Sequence, residues 1–97
     1  MAKRREISER VHRSHPAIVK RLKRASGHLS KVIEMIESGR PCVELAQQLA
    51  AVESAIASAK KTLIHDHIEH CLDSTGDMNP LTLRSELKEL KDITRFL

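Results

Sequence analysis

Nothing interrupts the helical pattern between Pro41 and the Ser74-Thr75-Gly76 cluster, and in a chain of 97 residues that stretch dictates most of the architecture. Its apolar positions are Val43, Leu45, Ala46, Leu49, Ala50, Val52, Ile56, Ala59, Leu63, Ile64, Ile68 and Leu72. They recur at helical steps, with no strand-like alternation. Thirty residues at ~1.5 Å each make a rod of about 45 Å. So short a chain cannot cover such a rod with its own neighbours, and the rod is expected to pack against a second copy. Ala50, Ala51, Ser54, Ala55, Ala57, Ser58 and Ala59 crowd its middle with small side chains that let another helix approach.

Shorter helices are expected on either side. Ser14-His15-Pro16 offers a cap and a first-turn proline, where the missing N–H costs nothing. From there Val19, Leu22, Ser26, Leu29, Ile33 and Ile36 form a stripe, widened by Ile18, Ala25 and Val32, and Ser38-Gly39 ends it. Asn79-Pro80 repeats the cap-and-proline signal and opens a third helix, striped by Leu83, Leu87, Leu90, Ile93 and Leu97. The fold class is all-α, a three-helix protomer with a long central helix. Residues 1–14 lack an apolar period and are read as a basic N-terminal arm, leaving 15–97 as one helical domain.

Charge is distributed unevenly. Residues 1–24 carry a net +7 and the remainder −3, for a total of +4. A basic first quarter points to a polyanion such as double-stranded DNA, with Arg13, Lys20, Arg21, Lys23 and Arg24 as candidate contacts. Phe96 is the one aromatic residue, which disfavours RNA readers that stack bases on aromatic rings. No apolar run approaches the ~20 residues that span a bilayer, so no membrane partner is expected. No apolar stretch follows the basic Met1-Ala2-Lys3-Arg4-Arg5, so a secretory signal is not expected either. The expected location is cytoplasmic, where two cysteines serve more readily as ligands or sensors than as a disulfide.

The segment His65-Asp66-His67-Ile68-Glu69-His70-Cys71 carries the chemistry. His67 and Cys71 are four apart, so they project side by side and a metal can bridge them. Cys42 lies 25 residues before His67, roughly 37 Å along a straight helix. Two antiparallel copies of the rod would bring Cys42 of one chain to His67 and Cys71 of the other, giving two equivalent sites. Two thiolates and an imidazole suit Cu(I), and Zn(II) or Ni(II) if His12 or His15 adds a fourth ligand. No Gly-rich phosphate loop, His-Glu-x-x-His motif or oxyanion-binding turn supports an enzyme.

Together Arg21-Leu22-Lys23-Arg24-Ala25-Ser26-Gly27, Cys42, Gln47-Gln48-Leu49-Ala50-Ala51-Val52, His67 and Cys71, at their spacings, resemble the copper-sensitive operon repressor family. Relatives in that family also sense nickel or cobalt, formaldehyde and persulfides. The resemblance covers residues 16–97. It implies a disc-like homotetramer built as a dimer of antiparallel dimers, without a helix-turn-helix. It also implies metal held between protomers and operator DNA released on binding. Cys42, His67 and Cys71 match the copper sensors' ligand set, and Arg21 matches an arginine implicated in DNA binding. His67 stands where the persulfide branch has Cys. Ala2 and Cys71 depart from the formaldehyde branch, which has Pro after the initiator Met and pairs one Cys with the His. His28 replaces a common Gln, Pro41 replaces a Tyr of some copper sensors, and Glu86 lies near, but not cleanly at, the position of a family Glu that supports the ligands. Nickel sensors recruit an N-terminal His at a spacing where this chain has Arg10, with His12 and His15 close by.

The expected function is a transcriptional repressor that releases operator DNA on binding a transition metal, Cu(I) ahead of Ni(II) or Co(II). A formaldehyde- or thiol-redox-sensing repressor is the alternative within the family. Outside it stands a metal-buffering helical protein with no DNA role, which gives no reason for the basic first quarter.

Overall fold

The computed structural model describes residues 14–74 and 79–97, so the expected arm, with His12 and Arg13, lies outside the described residues. Three α-helices follow in order: α1 (His15–Glu37), α2 (Cys42–Ser74) and α3 (Pro80–Ile93), closed by a 3-10 turn over Thr94–Phe96. The all-α three-helix reading holds, and no strand occurs among the described residues.

The helix ends follow from local chemistry. Gly39 adopts φ +79°, and around it the Gly39 N–H donates to the Ile36 carbonyl and the Arg40 N–H to Met35. This pair of bonds is a Schellman stop, which satisfies carbonyls that the ending helix leaves open. The next helix starts at once. Pro41 takes the capping position rather than the first turn, its carbonyl accepting from Leu45 N–H at 3.1 Å. Glu44 in that first turn pairs with Arg40 and complements the positive helix end. Asn79 caps α3 as expected, its Oδ1 accepting from Thr82 N–H at 2.9 Å with Pro80 behind it. Ser14 departs from expectation, because its hydroxyl is buried and makes no hydrogen bond among the described residues.

Two compact units share the long helix. The first spans Pro16–Lys60, and the second joins His15 with Lys61–Leu97. In the first unit the buried seam is Ile18, Ala25 and Val32 on α1 with Val52 and Ala59 on α2. The sequence periodicity assigns the α1 trio a flanking role, yet Val19, Leu22, Leu29, Ile33 and Ile36 are the residues left 40–51% exposed. In the second unit Ile64 and Cys71, two turns apart on α2, are the buried residues. Among the described residues no helix is long and apolar enough to cross a membrane.

Candidate metal centre

Residues His67 and Cys71 project from adjacent turns of α2 within the second unit, as their spacing requires. The Cys71 side chain is 1% exposed, and its Sγ lies 4.0 Å from the Glu86 carbonyl oxygen on α3. Burial pushes the thiol above its ordinary pKa, and the Glu86 and Glu89 carboxylates push it further. His67 is 12% exposed, with Nε2 3.9 Å from Glu89 Oε1. The apo site therefore holds a protonated thiol beside an imidazole under two acidic side chains. A soft cation that displaces the thiol proton would also relieve the repulsion between thiolate and carboxylates.

Glu89 was the part of the acidic roof that sequence reasoning missed. The inward-leaning residues of α3 are Leu83, Glu86, Leu90 and Ile93, whereas Leu87, expected in the stripe, is 49% exposed. Positions 86 and 87 both satisfy the helical period, and apolar character alone selected the wrong one. Asp66 has a buried Oδ2 with no hydrogen bond among the described residues.

Cys42 is a free, exposed thiol at the first residue of α2, in the first unit, and is not gathered with His67 and Cys71. His15 opens α1, has a buried Nε2 and belongs to the same unit as His67 and Cys71. Among the described residues no group of three or more His, Cys, Asp or Glu side chains is placed to hold a metal. The donor chemistry fits a thiophilic ion, but the described chain assembles two of the three expected ligands. Lys20, Arg21, Lys23 and Arg24 are all exposed on α1, which has no acidic residue before Glu34.

A helical chain with a buried thiol one turn from an imidazole and an exposed cationic helix has donors that suit a soft metal and charge that suits a polyanion. The comparisons go further. Residues 14–95 match the family described as metal-sensitive transcriptional repressor, and the chain belongs to that family. It is 36% identical over 85 residues to the copper-sensing transcriptional repressor CsoR of Mycobacterium ulcerans, covering 82% of this chain and 67% of that protein. Against the copper-sensing transcriptional repressor CsoR of Mycobacterium tuberculosis it is 30% identical over 95 residues, covering 93% and 74%. The Bacillus subtilis copper-sensing transcriptional repressor CsoR matches at 30% over 66 residues, covering 68% and 65%. No solved structure matches the chain. The family consists of transcriptional repressors, not enzymes, so DNA is the implied partner.

Proposed function

We propose that the protein is a Cu(I)-responsive repressor that holds operator DNA in its apo form and releases it when Cu(I) arrives as the signal. Support comes chiefly from the buried Cys71 thiol one helical turn from His67, in a chain similar to repressors named as copper-sensing. Cys42, exposed at the start of α2, is the third ligand in this reading, supplied by the antiparallel partner of a homodimer that pairs into a tetramer. Arg13, Lys20, Arg21, Lys23 and Arg24 hold the DNA backbone, mainly through phosphates, so affinity falls steeply with salt. Occupation of the site ties α2 of one protomer to its partner and favours a conformation with less affinity for DNA. Linkage then requires DNA to weaken metal binding by the same factor, typically a coupling of ~1–3 kcal/mol. A reducing, cytoplasmic setting keeps both thiols available.

One observation favours a second reading. His15 belongs to the unit that holds His67 and Cys71, so a fourth, imidazole ligand would turn the set toward Ni(II), Co(II) or Zn(II). Anaerobic titration of reduced protein, with a fluorescent duplex reporting DNA binding, separates them. Thiolate-to-copper absorption saturating at one ion per chain with DNA release supports Cu(I). Release only with Ni(II), lost in His15→Ala, replaces copper by nickel. Metal-driven release that survives in Cys42→Ala overturns the shared site.

A further inference from the structure

The cations of α3 lie along one side of the helix. Arg84, Lys88 and Lys91 follow at steps of four and three residues, and all are exposed. At about 100° per residue they fall within roughly 60° of one another around the axis. Arg95, four residues beyond Lys91 and also exposed, continues the row into the 3-10 turn. The half-buried Leu83, Glu86, Leu90 and Ile93 occupy the far side. Glu89 and Asp92 fall on the flank between, so the carboxylates stand off the cationic row.

A solvated helix face has no use for this separation. Opposite charges three or four residues apart support a helix, and like charges at those spacings destabilise it. Here Arg84–Lys88, Lys88–Lys91 and Lys91–Arg95 are all like-charged neighbours. Lys88 and Asp92 are four apart but do not meet, and among the described residues none of the four cations forms an ion pair. Lys91 and Arg95 complement the negative end of α3, whereas Arg84 and Lys88 lie too far from that end to do so.

The spacing suits a nucleic-acid backbone. From Arg84 to Lys91 the helix axis advances ~10 Å, over which one strand of duplex DNA carries about three phosphates. A membrane surface is the poorer match, because the apolar residues a helix would insert among lipids, Leu83, Leu90 and Ile93, are turned inward.

We propose that Arg84, Lys88, Lys91 and Arg95 form a second contact with the duplex backbone, additional to that of α1 and carried by the unit that holds His67 and Cys71. It rests on the repressor reading above, supplies phosphate contacts and reads no base.

Two charge-conserving exchanges test the row. Lys91→Asp with Asp92→Lys, and separately Arg84→Ser with Ser85→Arg, each move one cation about 100° around the helix at constant net charge. All four positions are exposed, and each variant is matched to the parent by thermal melt and sedimentation. If one is not matched, the other carries the test. Duplex binding is measured by anisotropy across a salt series. We expect each exchange to weaken binding about fivefold at ~0.15 M salt and to flatten the salt slope by ~0.9 for the phosphate no longer neutralised. Parent-like affinity and slope overturn the contact and leave the repressor reading intact, as does weaker binding with a parent-like slope. A parent that binds no duplex removes the repressor reading and this contact together. Sedimentation with phosphatidylcholine vesicles, with and without phosphatidylglycerol, covers the other polyanion. Pelleting with the anionic vesicles that the exchanges abolish, while duplex binding stays parent-like, assigns the row to a membrane and overturns the DNA contact.

Discussion

The protonation of Cys71 ties its environment to stability. Its folded-state pKa is raised by burial and then by Glu86 and Glu89, so folding favours the protonated thiol. That contribution is fully present below the unfolded thiol value, ordinarily ~8.5, and is lost as pH rises through the raised folded value. Apo-protein stability should therefore fall above about pH 8, and Cys71→Ala should flatten that fall. Urea melts from neutral to alkaline pH check it, and equal alkaline slopes in parent and variant would show that Cys71 is not responsible. Removing the carboxylates acts in the opposite sense. Glu86→Gln with Glu89→Gln should lower the Cys71 pKa toward its ordinary value, seen as thiolate absorbance at lower pH. The placement of His67 and Cys71 on adjacent turns of one helix was legible from their i,i+4 spacing alone. Glu89 was not, because its role comes from α3 packing over α2, and no local pattern encodes which turn of one helix meets which turn of another.

Helix ends carry their own energetics. Gly39 sits at φ +79° with nothing within 4 Å of where a Cβ would be, so a substitution there costs backbone strain and no clash. Gly39→Ala should destabilise by about 1 kcal/mol, and Gly39→Asn by less, because Asn tolerates the left-handed region. Asn79→Ala removes the Oδ1 bond to Thr82 N–H and should likewise cost about 1 kcal/mol. Urea midpoints that move with unchanged slope would confirm both, whereas an altered slope would indicate loss of two-state behaviour. These ends were readable because capping is a local code of side chain and backbone. The α1 seam was not. Its apolar stripe is wide enough to offer two faces, and the choice of Ile18, Ala25 and Val32, buried in the same unit as Val52 and Ala59 of α2, is made by packing that no local pattern encodes. Ser14 shows the limit of the code itself. A hydroxyl before a helix with proline in its first turn reads as a cap, but here it is buried without a hydrogen bond among the described residues.

At the scale of the whole molecule, the question is whether one chain is a complete sensor. Seven residues make up the buried apolar core of the described chain, while Leu49, Ile56, Leu22, Leu29, Ile33 and Ile36 remain largely exposed. That is a small core for the described residues, and association would bury more apolar surface. Placement of the cysteines gives the same argument a chemical form. Cys42 lies 25 residues before His67, roughly 37 Å along a straight helix, so a site of all three is most simply closed by two chains. Mixing two defective chains tests this directly. Neither Cys42→Ala nor Cys71→Ala alone should give a three-ligand site. In an antiparallel heterodimer, Cys42 of the Cys71→Ala chain meets His67 and Cys71 of the Cys42→Ala chain, restoring one site of two. Random re-pairing makes half the dimers mixed, so high-affinity Cu(I) capacity should return to about a quarter of the parent value. Recovery that appears only after subunit exchange would establish shared ligation. A mixture that binds no more than its separate components, after exchange is verified by sedimentation of size-tagged chains, would confine the site to one chain and remove the dimer from the mechanism.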